Sequence, residues 1–394
     1  MARPKNPIIN IRMKDLGKQP IQLELFRLTD VPYTNAFEFY EAIPRFVAGG
    51  DRAKYIRPDG TIGEVKRNED GTALPIEKFY VHRGKGYNLT IKPASLEQKE
   101  GYKSVFPGVR EEIIEFIIFK LSIERGFFFD GEDEPSAKTD NYVVFTTVYE
   151  IQQELKKRHG TKHPSYNHTQ ILEALQVLSE TRYVLKGETK EESITFSPFV
   201  EFGYMNEKDS KSKTGKNATV YIKLNSLVAK SILAKNWRQI GYDDVIQDDS
   251  FLGRWFRKTL SLRFTQADPF KSYNIKLSTV INHSGISPYT RVMDNVRYVQ
   301  NTLEALDIVA EVKVEKEYAV NPETRRRQVV DAKFIIYPSR AFTHEQVKSN
   351  AHAKRLEGAV EGEGGYPLLE PRKSDFKNLR DYEKARREFL KAQT

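Results

Sequence analysis

Twice along this chain the spacing of apolar residues runs through one series. A helical period gives way to a short alternating stretch, then to two helical periods around a turn, then to a pair of alternating stretches around a polar tip. Few folds are open to such a chain, because each period fixes which side chains share a face. In the first pass Ile113, Ile114, Ile117, Ile118 and Leu121 take helical spacing within 111–125. An acidic loop at 130–134 and Pro135 lead to a strand at 142–145 and a helix over about 147–157. A polar turn from His159 to Pro164 precedes a helix over 168–180, with Ile171, Leu175 and Leu178 on one face. Alternating strands at 183–186 and 193–199 close the pass around 187–192. In the second pass Ser250 caps a basic, aromatic helix at 251–262. Residues 273–277 alternate, and 278–283 start a short helix that stops at Gly285. Ser287 and Pro288 form a cap and first-turn proline, opening a long helix to Leu306. Strands at 308–315 and 329–337 flank an arginine-rich tip at 321–328.

That order is the order of a winged helix, so the expected class is α+β, with two tandem winged-helix domains. Residues 1–30 read as a flexible N-terminal tail, and 31–224 as the first domain with a β-rich extension at its front. The second domain spans 225–340, and 341–394 is a polar, charged tail containing a linker at 358–365 and a charged helix at 375–391. The two passes share architecture and no residue period. Within the extension, His82 to Gly86 reads as a hairpin turn between strands at 78–81 and 87–91.

Several classes of chemistry are excluded. The chain has no cysteine, which removes disulfides, thiolate metal sites and cysteine nucleophiles. Its apolar runs fall short of the roughly 20 residues that span a bilayer, and the N-terminus lacks a signal-peptide core, so a cytoplasmic protein without membrane contact is expected. Thr214-Gly215-Lys216 lacks the first glycine of a phosphate-binding loop, because position 210 is Ser. His159, His163 and His168 cluster, yet no His-hydrophobic-His triplet accompanies them, and a polar loop explains them better than a metal site. No enzyme, cofactor or metal is therefore expected. Lys and Arg outnumber Asp and Glu by 63 to 54, a net charge of +9, and the pI is about 9.2. That balance favours a polyanionic partner.

The helix opening at Ser287 and Pro288 is where duplex DNA would be read. At about 100° per residue, Val292, Val296, Val299, Leu303 and Leu306 form one apolar stripe. The opposite face presents Ser287, Thr290, Arg291, Asp294, Arg297, Tyr298 and Asn301. Arginine bonds guanine bidentately, asparagine bonds adenine, and a threonine methyl meets a thymine methyl in the major groove. A solvated helix face has the same pattern; the neighbours tip the balance. Arg325, Arg326 and Arg327 occupy the wing tip, where phosphates or the minor groove would lie, and Arg254, Arg257 and Lys258 line the supporting helix. In the first domain Thr169, Glu173, Gln176 and Glu180 face outward and Glu188, Glu191 and Glu192 sit at the wing. Carboxylates there would repel phosphate, so Lys156, Lys157, Arg158 and Lys162 are assigned to backbone gripping, with self-association as the other role for this domain.

These blocks resemble a family. ATVYIKLNSLVAKSI at 218–232, the basic helix FLGRWFRKTLSL, YNIKLSTV and the long helix ending in NTLEALDIV are similar, in order and spacing, to the second half of TrfA-type plasmid replication initiators. These are iteron-binding Rep proteins with tandem winged helices. Gln22-Leu23-Glu24-Leu25-Phe26 is similar to the QL(S/D)LF peptide with which such initiators engage the bacterial sliding clamp; Glu24 departs from the pattern. There Gln22 would anchor by hydrogen bonds while Leu23, Leu25 and Phe26 meet an apolar surface. The resemblance implies a bacterial replication initiator that binds double-stranded iterons at a plasmid origin and helps open adjacent A·T-rich DNA. It also implies contact with single-stranded origin DNA, with the clamp, the replicative helicase and the host initiator, and a homodimeric form. A winged-helix transcription repressor is the alternative, and a rolling-circle nicking nuclease a third.

Overall fold

The computed structural model describes residues 33–36, 38–50, 53–98, 101–125, 128–129, 142–158, 166–187, 193–205, 219–233, 238–320 and 325–358. The front of the chain forms β1 (Tyr33–Ala36), α1 (Glu38–Ala42), β2 (Lys54–Ile56), β3 (Ile62–Glu64), β4 (Ile76–His82), β5 (Lys85–Lys92), β6 (Ala94–Gln98) and β7 (Gly101–Val105). The central stretch forms α2 (Val109–Arg125), β8 (Phe128–Phe129), β9 (Tyr142–Thr147), α3 (Val148–Lys157), α4 (His168–Glu180), β10 (Arg182–Gly187), β11 (Ser193–Phe196), β12 (Phe199–Met205) and β13 (Thr219–Leu224). Then come α5 (Ser226–Leu233), β14 (Arg238–Gly241), α6 (Tyr242–Gln247), α7 (Phe251–Arg263), β15 (Tyr273–Lys276), α8 (Leu277–Ser284), α9 (Val292–Glu304), β16 (Val309–Val320), β17 (Arg327–Pro338) and α10 (Arg340–Gly358). Every sheet pairing is antiparallel, so the chain is a mixture of helices and antiparallel sheets.

Local chemistry explains the helix ends that the sequence predicts. Thr147 and Glu150 form a reciprocal capping box at the start of α3, and Asn167 and Gln170 do the same for α4. The Ser250 side chain accepts from Gly253 N–H and caps α7. Gly285 ends α8 with φ +79°, a left-handed conformation that glycine adopts without steric cost.

The two passes differ in their sheets. In the second, β15, β17 and β16 lie side by side in that order. In the first, β10 and β11 do not pair with β9; they extend a four-stranded sheet ordered β11-β10-β5-β4, while β9 sits between β13 and β8. The extension thus supplies β4 and β5 to the sheet that carries the first pass's closing hairpin. Two further differences from the sequence reading stand out. The stretch after Arg340 begins with α10, whose Phe342, Gln346 and Ser349 are buried; a polar sequence hides a docked helix. β1 pairs with β14, so the N-terminal strand closes onto a segment some 200 residues later.

One hydrophobic cluster runs from Tyr40 to Phe342 and draws on both passes. Residues 111–122 of α2 lie inside it and are all buried, including the charged Glu111, Glu112, Glu115 and Lys120. Each of these has a partner. Glu115 accepts two hydrogen bonds of 2.7 Å from Arg45 and one from the Tyr40 hydroxyl. Glu112 accepts from Arg254 at 2.8 and 3.0 Å and from Lys258 at 2.9 Å. Glu41 lies within 3.5 Å of both Arg45 and Lys258, which closes a network of three carboxylates and three cations. Burial alone would raise the Glu112 pKa, but Arg254 and Lys258 outweigh it and hold the carboxyl below its usual range. Lys120 bonds Glu154 at 2.8 Å and ties α2 to α3.

A second contact crosses between the passes at the edge strand β4. Val81 N–H donates to His283 Nε2 of α8 at 3.4 Å, and the ring stands edge-on to Tyr80. An accepting Nε2 requires a neutral ring. Burial, with Arg263 and His82 adding to it, pushes the His283 pKa down to about 3.

Two outcomes follow from these contacts. Arg254→Ala leaves Glu112 with one partner in a dry site and should cost about 3–5 kcal/mol in urea unfolding. Lys333→Ala, on an exposed pair with Glu315, should cost about 1 kcal/mol or less. Equal losses would remove the special weight given to Glu112. For His283, the unfolded chain takes up a proton near pH 6.5 that the folded chain refuses down to about pH 3. Stability should therefore be flat above pH 7 and fall as pH drops below 6.5, by up to about 1.4 kcal/mol per pH unit. Replacement by leucine should flatten the segment from pH 6.5 to 5, with the remaining slope reporting His82 and other groups.

Candidate nucleic-acid interface

In the second pass, α9 packs its stripe of Val296, Val299 and Leu303 into the core, with Val292 half-buried at its start. The helix starts later than the sequence suggests. Arg291 is its N-cap, and residues 285–291 form an irregular turn. Buried Asn295 holds that turn in place: it accepts from Tyr289 N–H at 2.8 Å and donates to the carbonyls of Tyr289 at 2.8 Å and Arg291 at 3.3 Å. This residue escaped the sequence reading. The available signal was an asparagine beside Val296 on the inward side of an amphipathic helix.

The predicted reading residues divide into two groups. Thr290, Arg291, Arg297 and Asn301 are exposed, and half-buried Asp294 lies 3.8 Å from Arg297. Tyr298 is turned inward, edge-on to Tyr289 and bonded to Ser250. Ser287 does not cap the helix: its hydroxyl accepts from Lys54 N–H at 2.9 Å. Alongside this bond, Ala48 N–H donates to the Gly285 carbonyl at 3.0 Å. A Cβ on Gly285 would stand 2.1 Å from the Phe46 carbonyl oxygen, so only glycine permits the segment at 46–48 to lie against the turn before α9.

The wing is long. β16 and β17 are 12 residues each, and β15 pairs with β17 only from Lys333 to Ile336. Beyond Lys333 the hairpin is a two-stranded ribbon of about 20 Å. Its register shifts between Glu317 and Tyr318, and Arg327 stacks on the Tyr318 ring at 4.1 Å. Arg325, Arg326 and Arg327 are all exposed; residues 321–324 between the strands lie outside the described residues.

The supporting helix corrects the sequence reading. Arg254 and Lys258 are 2% and 7% exposed and bound to Glu112, so neither reaches a phosphate. Arg257 is nearly buried between Asp248 and Asp307. Their carboxylate partner on α2 stands 142 residues away in sequence, where no local pattern reveals it.

In the first pass, Arg158 is buried and reaches Asp249 at 3.3 Å, Lys157 bonds Glu154 at 2.7 Å, and Lys156 is half-buried. The outward face of α4 is covered in part by the protein itself, with Thr169 and Glu173 still exposed. Glu173 pairs with Arg110, Glu180 accepts from Ser95 N–H, and Ala94 and Leu96 pack on Val177. The β6–β7 hairpin thus covers a surface that the sequence left open. Lys162, Glu188, Glu191, Glu192 and the clamp-like peptide Gln22, Leu23, Leu25 and Phe26 lie outside the described residues, as does 375–391.

Among the described residues no group of three metal-ligating side chains occurs, and no helix is long and apolar enough to cross a membrane. No family model matches the sequence, and no curated protein matches it. Two solved structures of domains 2 and 3 of RctB are similar in part. One, a selenomethionine derivative, shares 10% identity with a TM-score of 0.41, covering 76% of this chain and 97% of that one. The other shares 9% identity with a TM-score of 0.40, covering 72% and 98%. Likeness this loose assigns neither fold nor function to the chain.

Proposed function

We propose that this protein is a sequence-specific duplex-DNA-binding protein that acts as a plasmid-type replication initiator and not as an enzyme. The observation that carries the reading is the second pass: an amphipathic helix, α9, with Thr290, Arg291, Arg297 and Asn301 exposed, beside a long hairpin ending in three arginines. Helix and hairpin of this kind make a winged helix, in which α9 would enter the major groove and the wing would meet phosphates or the minor groove. The net charge of +9 agrees with a polyanionic partner. The resemblance of blocks within 218–309 to TrfA-type initiators, and of Gln22 to Phe26 to a clamp-binding peptide, supports initiation over simple binding. Iteron recognition, opening of A·T-rich DNA and recruitment of helicase and clamp belong to that reading. A transcription repressor needs the same interface but no clamp peptide.

Selection of bound sequences from a random duplex pool supplies the site to be tested. Arg291→Ala and Arg297→Ala should each cost about 1–3 kcal/mol on the selected sequence and relax discrimination at particular base pairs. Their effect on unselected duplex should be much smaller, because nonspecific binding follows total charge. Equal loss on both duplexes would make these two residues phosphate contacts and place base reading elsewhere.

The initiator arm is tested with purified sliding clamp. The double variant Leu25→Ala, Phe26→Ala should lose clamp binding while keeping its DNA affinity. A parent that does not bind clamp, or a variant that binds as well as the parent, would leave the repressor as the better reading.

A further inference from the structure

The front of the chain, which carries no motif, is built against the turn that leads into α9. β2 begins at the Lys54–Ser287 hydrogen bond, Ser287 is followed by buried Pro288 and exposed Tyr289, and β2 pairs with β3 to form a hairpin. A three-residue strand spans about 10 Å, so the hairpin's tip stands about that far from Ser287. A major groove is about 12 Å wide, so a helix N-terminus lying in it has flanking phosphates within such a reach.

The side chains of this hairpin suit that place. From Ala53 to Arg67 there are four cations, Lys54, Arg57, Lys66 and Arg67, against two carboxylates, Asp59 and Glu64. Both carboxylates are engaged: Asp59 accepts from the Thr61 N–H at 2.9 Å and its hydroxyl at 2.7 Å, and Glu64 pairs with Lys54 at 3.5 Å. Arg67 is committed to the Gly71 and Ser104 carbonyls. Among the described residues neither Arg57 nor Lys66 forms an ion pair: Lys66 is exposed, and half-buried Arg57 donates a long hydrogen bond of 3.4 Å to the Thr61 hydroxyl. Arg57 is also held in position. A Cβ at residue 63 would stand 2.9 Å from both Arg57 Nε and the Tyr55 ring, so Gly63 leaves room for these two side chains to lie across β3. A guanidinium whose stem is confined by its neighbours loses less freedom when it binds a phosphate.

We propose that the β2–β3 hairpin is a further DNA-backbone contact, with Arg57 and Lys66 gripping phosphates beside the groove that α9 occupies. The proposal rests on the DNA-binding reading of α9. Its ligand is the phosphodiester backbone of the same duplex, and it carries no base specificity. The front of the chain would then both position the reading helix, through Ser287 and Gly285, and extend the bound length of DNA.

The test uses the full chain and a labelled duplex of random sequence, about 30 base pairs long, titrated from about 50 to 200 mM salt. Arg57→Gln with Lys66→Gln removes two charges and keeps a polar, unbranched stem at each position. The expected result is an affinity loss of roughly tenfold or more at the lower salt, a log–log salt slope flatter by about 2, and an unchanged unfolding midpoint. Lys103→Gln, on the β6–β7 hairpin, serves as a charge control and should change little. An unchanged slope in a folded double variant overturns the proposal. If the double variant unfolds more easily, Lys66→Gln alone decides, with an expected slope change of about 1. A parent protein that does not bind the duplex overturns both the hairpin contact and the DNA-binding reading. A parent that binds through Arg291 and Arg297 but ignores Arg57 and Lys66 overturns the hairpin contact alone.

Discussion

The buried carboxylates of α2 set the arrangement of everything around them. Glu112 and Glu115 stand on one central helix, and each needs cations from elsewhere: Arg254 and Lys258 from α7, Arg45 from the segment after α1. Taking such charges out of water costs several kcal/mol per ion, and only near-complete pairing recovers it. The cluster has three charges of each sign, with Glu41 bridging its two halves. Apolar contacts tolerate sliding; a bidentate arginine on a carboxylate does not. We regard the network as the feature that fixes how α7, and the elements that follow it, sit on α2.

Arg45 carries that constraint on to the candidate interface. Its guanidinium is locked to Glu115, its carbonyl accepts from the Tyr183 hydroxyl at 2.9 Å, and two residues later Val47 N–H bonds the Pro107 carbonyl. The next residue, Ala48, bonds the Gly285 carbonyl, where α8 ends. Four consecutive residues therefore connect the charged centre of α2 to the turn before α9. The turn is held from its other side by Asn295. Gripped from both sides, α9 presents Arg291 and Arg297 from a stiff support, which is what a base-reading helix needs if hydrogen bonds are to discriminate.

Elements governed by neighbours in sequence were legible, and those governed by distant partners were not. α4 spans His168–Glu180 as its period and its Asn167 cap dictate, and α7 starts at its Ser250 cap. The hairpin of β4 and β5 followed from its alternation and from Gly84 at its turn. By contrast, the FLGRWFRKTLSL helix reads as a cationic surface, and its cations face a carboxylate on another helix. The outer face of α4 reads as open because the hairpin that covers it comes from the unreadable front of the chain. Start signals misled once: Ser287 and Pro288 match a helix opening, but the hydroxyl is drawn away by Lys54 N–H and the helix waits for Val292. Of the candidate interface, the exposed side of α9 and the wing arginines were readable, whereas Asn295, Gly285 and the β2–β3 hairpin were not.

A basic composition is not a basic surface, and the difference decides where a polyanion can dock. The network around α2 holds equal numbers of each sign, so it contributes nothing to the surplus of nine. The shaft of the wing is also balanced, with Glu311 beside Lys313, Glu315 beside Lys333 and Glu317 beside Lys276. Such exposed pairs add little stability, yet they cancel the local field. Without an ion pair on this part of the molecule are Lys316 on the shaft, Arg325, Arg326 and Arg327 at the hairpin's end and Arg291 at the start of α9, while Arg297 lies 3.8 Å from Asp294. Under the proposed function, a largely balanced shaft with a charged end would draw a duplex to one orientation, because attraction along the shaft is indifferent to register while attraction at its end is not. Long-range charge would thus bring DNA to the wing tip and the start of α9, and the short-range hydrogen bonds of α9 would then choose the sequence.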